Sequence, residues 1–175
     1  ILLCSRRTCP CFTSQMTLEE KVGQMLTSLG WPMYERQGNT IRLTEQLVRE
    51  IEEYHTGSLW GFMRADPWTQ RTLTTGLTPA LAAKASNMLQ KYAIEHGRLG
   101  IPLFLAEECP HGHMAIGTTV FPTSIGQAST WNPELIRRMG RAMLLRQVHR
   151  ERISVMVRYL IWPVIPLVQG RRNVW

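Results

Sequence analysis

The chain has 175 residues, 44% hydrophobic and 19% charged, the make-up of a globular protein that buries one ordinary core as one domain or part of one. Its formal charge of +7 sits at the ends: residues 16–145 carry 12 Lys and Arg against 12 Asp and Glu, whereas residues 146–175 carry six Arg against one Glu. Neither end lays its arginines along a stripe or interleaves them with aromatics, which argues against nucleic acid as a partner, and the apolar run YLIWPVIPLV is half a membrane span broken by two prolines, so no membrane is expected.

The opening ILLCSRRTCPCF has no basic segment ahead of its apolar residues, and Arg6 and Arg7 interrupt them; no secretory leader is expected and a cytoplasmic location follows. Cys4, Cys9 and Cys11 crowd into this head with Cys109 far away, a spacing that matches no zinc site. Residues 1–15 are left as an unassigned head. From Thr17 the pattern predicts a helix up to Gly30: Thr17 and Glu20 form a capping box, and Val22, Met25, Leu26 and Leu29 recur at helical spacing. A second helix follows in TEQLVREIEEYHTG, with Leu47, Val48, Ile51 and Tyr54 on one face and Gly57 as its stop. GSLWGFM, residues 57–63, reads as a buried strand, and residues 64–76, polar and holding Pro67, as a loop.

Thr78 then caps a helix with Pro79 at its first position, an apolar face of Leu81, Ala85, Met88, Leu89 and Tyr92, and Gly97 as its end. IPLFLA, residues 101–106, is the second predicted strand and delivers Glu107 and Glu108 at its end. Asn132, Pro133 and Glu134 open a last helix carrying Leu135, Ile136, Met139 and Met143. Strands that alternate with helices and are apolar on both faces predict parallel pairing in an α/β protein. In barrels of this kind functional side chains sit at the carboxyl ends of strands, the position that Arg64 and Glu108 occupy.

Adjacent strand-end residues point to opposite sides, so one of Glu107 and Glu108 faces the mouth while the other caps a helix or pairs with a base; two solvated loop acids are the plainer alternative. Glu108, His111 and His113 form E-x-x-H-x-H, which invites a metal-binding hydrolase or module. Pro110 and Gly112 break the helix that would align such ligands, so both imidazoles are expected to brace the loop by bonding backbone carbonyls, with no metal. Cys109 reads as a small buried filler. Trp31, Trp60, Trp68 and Trp131 are either platforms for sugar rings or packing residues, and Ser124 and Ser129 lack the elbow motif of a serine nucleophile.

MTLEEKVGQM, residues 16–25, and RLGIPLFLAEECPHGHMAIGTTVFPTSIGQASTWNPELI, residues 98–136, resemble the amino-terminal domain of glycoside hydrolase family 3, the β-glucosidase and β-xylosidase group, over residues 14–145. The resemblance implies the N-terminal portion, residues 16–145, of a (β/α)8 TIM-type barrel that hydrolyses a β-linked glucoside or xyloside with retention, through an aspartate nucleophile and a separate acid/base, without cofactor. It places Glu108 on the acid that holds hydroxyls of the innermost sugar, an Asp in many members, and His111 and Gly112 on the supporting loop. The family's later Lys-His pair, sugar-binding Arg and nucleophile are not recognisable, so no catalytic residue is assigned and the piece is expected to be inactive alone, or at most a non-catalytic carbohydrate binder. RISVMVRYLIWPVIP, residues 152–166, can be encoded one nucleotide out of step with the family's next strand, making residues 146–175 an out-of-frame tail. The oligomeric state stays open.

Overall fold

The computed structural model describes residues 12–151; the cysteines of the head and the out-of-frame reading of residues 152–166 lie outside the described residues. A four-residue helix, α1 (Phe12–Gln15), leads into α2 (Leu18–Gly23). The capping box is formed: Glu20 N–H donates to Thr17 Oγ1 at 3.2 Å and Thr17 N–H to Glu20 Oε2 at 2.8 Å, satisfying two donors the helix leaves unpaired.

The helix stops at Gly23, seven residues short of the expected Gly30, because Thr27–Leu29 is a strand, β1. The helical spacing misled: Val22, Met25, Leu26 and Leu29 all stay exposed and none enters the core. Only glycine fits at the end of this helix, for a Cβ on Gly23 would collide with the Tyr54 carbonyl oxygen and lie 2.6 Å from that of His55. Gly57 N–H donates to the Gly23 carbonyl at 2.9 Å, so two glycines let the segments ahead of two strands touch.

After a 3-10 turn at Trp31–Met33 comes a hairpin that the reading above did not anticipate, β2 (Tyr34–Gln37) antiparallel to β3 (Thr40–Leu43). Gly38, at φ 59°, makes its tight turn, and the strands alternate so that Tyr34 and Ile41 enter the core. In α3 (Glu45–Glu52) Leu47 and Ile51 are buried as expected, whereas Tyr54 lies beyond the helix and is half exposed. Glu50 is buried on the same face: its Oε2 accepts from Ser28 Oγ at 2.7 Å and Thr56 Oγ1 at 2.5 Å, tying α3 to β1 and to the turn that follows.

The two predicted strands are present but shorter, β4 (Ser58–Trp60) and β5 (Phe104–Ala106). Gly61, at φ 68°, ends β4. Between them α4 (Pro79–His96) buries Leu81, Ala85 and Leu89, and Ala82, Ser86 and Ala93 widen its inner face. Gln90 ties α4 to the approach of β5 through both Leu103 N–H (2.9 Å) and Leu103 carbonyl (2.7 Å). A short α5 (Ser124–Ala128) precedes α6 (Pro133–Glu151), whose first turn is capped by Asn132 Oδ1, accepting from Leu135 N–H at 3.0 Å.

The α/β expectation holds as a three-stranded open parallel sheet in the order β1-β4-β5, with Leu59 at its centre fully buried. Among the described residues no helix is long and apolar enough to cross a membrane. The register sets Leu29, Trp60 and Ala106 side by side, so the residues that follow each strand meet at one edge. Gly30 N–H to Trp60 carbonyl (2.7 Å) and Gly61 N–H to Ala106 carbonyl (2.8 Å) extend the ladder into that edge.

At the opposite end of the sheet, Arg98 clamps Glu20 with Nε at 2.7 Å from Oε1 and Nη2 at 2.6 Å from Oε2. These bonds, with the Thr17 N–H, hold the Glu20 carboxyl down to about 2. A carboxyl lowered on folding contributes stability that is complete above its ordinary 4.5 and is lost as pH falls towards 2. Glu20→Gln is therefore expected to lower Tm at neutral pH, and the two unfolding curves, followed by circular dichroism, to converge on acidification to about pH 2.

Candidate functional site

Glu107 and Glu108 leave β5 in opposite directions, as the alternation of a strand requires. Glu107 turns inward, only 5% exposed, where Oε1 accepts Met63 N–H at 2.8 Å and Oε2 shares a hydrogen bond with His113 Nε2 at 3.1 Å. It is the member of the pair that meets a base. Glu108 turns to the strand-end edge with its side chain 40% exposed, and its Oε2 accepts from Arg64 Nη1 at 3.2 Å.

Arg64 follows β4 and is held on every side. Its Nε donates to Asp66 Oδ2 at 2.6 Å, and its guanidinium lies over the rings of Trp60 (5.2 Å) and Trp68 (4.8 Å). Trp31, just beyond β1, packs edge-on against Trp60 at 5.7 Å and Trp68 at 4.8 Å. Burial pushes the Asp66 carboxyl up, but the Thr69 N–H and Arg64 outweigh it and leave the group below the usual carboxylate range. Three of the four tryptophans considered in the sequence thus gather around one arginine, and Trp131, 91% exposed ahead of α6, stands apart from them.

The loop after Glu108 is braced mainly by its backbone. The His111 carbonyl accepts Phe121 N–H at 2.6 Å, Thr118 Oγ1 donates to the His113 carbonyl at 2.5 Å and the Ala115 carbonyl at 2.7 Å, and Ala65 N–H reaches the Met114 carbonyl at 2.8 Å. His111 departs from the expected imidazole-to-carbonyl bond, since its Nδ1 is buried without a hydrogen-bond partner among the described residues. Gly112 has φ 108° and sits against the Thr119 carbonyl, a position that only glycine occupies without strain. Cys109 is buried, as a filler would be.

The E-x-x-H-x-H spacing does not gather its side chains: Glu108 pairs with Arg64, and His113 pairs with Glu107. Among the described residues no three of His, Cys, Asp and Glu come close enough to share a metal. What the edge offers instead is a part-exposed carboxylate with one oxygen engaged by Arg64, and the indole of Trp68, 60% exposed, against the same guanidinium. Hydroxyl-rich ligands with an apolar face suit that pairing. The sequence placed Arg64 and Glu108 at strand ends; it assigned Arg64 no role, and it carried no signal for their ion pair.

The glycosyl hydrolase family 3 N terminal domain matches residues 17–149. A protein of Formosa agariphila assigned by name as a beta-xylosidase is 31% identical over 140 residues, covering 77% of this chain and 17% of that protein. Among solved structures, a mutant beta-glucosidase from Listeria innocua in complex with laminaribiose aligns with 79% of this chain and 17% of its own, at 25% identity and TM-score 0.53. A mutant exo-1,3/1,4-beta-glucanase from a Pseudoalteromonas species aligns with 75% of this chain and 19% of its own, at 26% identity and TM-score 0.52. The chain spans less than a fifth of the length of each of these three relatives. With the domain matched from residue 17 to residue 149, the chain belongs to glycosyl hydrolase family 3, in its N-terminal domain.

Proposed function

We propose that the chain is the opening portion of a (β/α)8 barrel glycosidase that removes terminal β-linked glucose or xylose with retention of configuration, and that these residues alone do not turn over substrate. Three parallel strands that neighbour one another in chain order, each followed by residues that meet at one edge, are how such a barrel begins. Within it Glu108 holds hydroxyls of the innermost sugar, His111 and Gly112 shape the loop around it, and the nucleophile and acid/base belong to later strands. The residues beyond the matched stretch, 150–175, are then an out-of-frame tail replacing the family's continuation.

The observation that carries the reading is the placement of Glu108: a part-exposed side chain at the strand-end edge, held through Oε2 by Arg64. Such an acceptor binds without needing to give or take a proton, which separates its role from that of the two reacting carboxyl groups. The test is the gene with its downstream frame restored. The complete protein is expected to hydrolyse nitrophenyl β-glucoside or β-xyloside, and Glu108→Ala to lower kcat/KM about a hundredfold, the loss of a charged hydrogen bond to substrate. Unchanged kinetics would remove the assignment, and turnover by the 175-residue chain itself would overturn its inactivity.

A further inference from the structure

We infer that Arg64 is a positioning residue for Glu108, fixing the carboxylate that the sugar meets; this rests on the glycosidase reading above and adds to it a residue. A glutamate at a strand end has rotatable bonds that let its carboxylate wander, and a wandering acceptor grips a hydroxyl poorly. Arg64 fixes one oxygen, with Nη1 3.2 Å from Oε2, on a side chain that stays 40% exposed.

Neutralising Glu108 would need only a charge. Arg64 is instead immobilised by Asp66 at 2.6 Å and by the rings of Trp60 and Trp68, so that its side chain is only 14% exposed. Its backbone is also stitched to the loop beyond Glu108, through the Arg64 and Ala115 bridge and the Ala65 to Met114 bond of 2.8 Å. The guanidinium fork, rather than its charge, is what links the loops after β4 and β5.

The frame-restored enzyme tests this with nitrophenyl glycosides and their singly deoxygenated analogues. Arg64→Gln is expected to lower kcat/KM on the parent glycoside by about tenfold to a hundredfold. The loss should shrink on the deoxy analogue that Glu108→Ala also ceases to penalise, and the two substitutions should be strongly non-additive. A merely structural arginine would cost the same on every analogue. Arg64→Lys keeps the charge without the fork and should still show the loss; it carries the test if Arg64→Gln fails to fold. Wild-type kinetics in Arg64→Lys, or in a folded Arg64→Gln, with Glu108→Ala impaired, would overturn the inference and leave the glycosidase reading standing. Indifference to both Arg64 and Glu108 would sink the Glu108 assignment itself.

Discussion

Gly112→Ala should destabilise the chain by about 3 kcal/mol or more, the joint cost of an unfavourable backbone conformation and an overpacked contact. At φ 108° an alanine is strained wherever it is placed. Here its Cβ would also strike the Thr119 carbonyl and come within 3.3 Å of Phe121 Cδ2. Relief requires the two arms of the loop to separate, which breaks the 2.6 Å bond between Phe121 N–H and the His111 carbonyl. Urea unfolding of the purified chain gives the energy, and new protease cleavage among residues 109–121 shows where the strain goes. A loss under about 1 kcal/mol would mean that the loop relaxes at little expense.

The second large effect is expected at Glu107, and its contrast with Glu108 is the sharper test. Glu107→Ala should cost about 3 kcal/mol, because it strips the buried Met63 N–H of its acceptor and His113 of a carboxylate partner. Glu108→Ala removes a part-exposed ion pair and should change stability by less than about 1 kcal/mol. Two neighbouring acids would then divide the work, one setting stability and the other sugar affinity. Thermal unfolding of the two variants side by side measures the difference, and equal losses would show that Glu108 is also a structural residue.

The parts legible in the sequence are those written in local chemistry. The Thr17 and Glu20 capping box, the proline that starts α4 and the Asn132 cap of α6 each act within a few residues, and each appears where the spacing put it. Both predicted strands exist, with Glu107 and Glu108 diverging at the end of β5. What failed was β1. Three residues are too few for a period, and the apolar positions around them happened to repeat like a helix while facing solvent. The decisive fact there, Gly23 touching the residues ahead of Gly57, joins segments far apart in the chain. The hairpin was readable in retrospect, for Gly38 and Asn39 stand between two alternating runs. Arg64 between Trp60, Trp68, Asp66 and Glu108 was not, since a guanidinium's partners depend on how strands align.

The sheet order has a bearing on biosynthesis. β4 lies beside β1, and β5 beside β4, so each strand's partner has already been made when it leaves the ribosome. No gap has to be kept open for a later arrival, as it would if a distal strand were inserted between two early ones. Pairing can therefore advance in step with translation, and the emerging polypeptide can assemble the tryptophan-lined edge around Arg64 as soon as β5 and the loop after it are free of the exit tunnel.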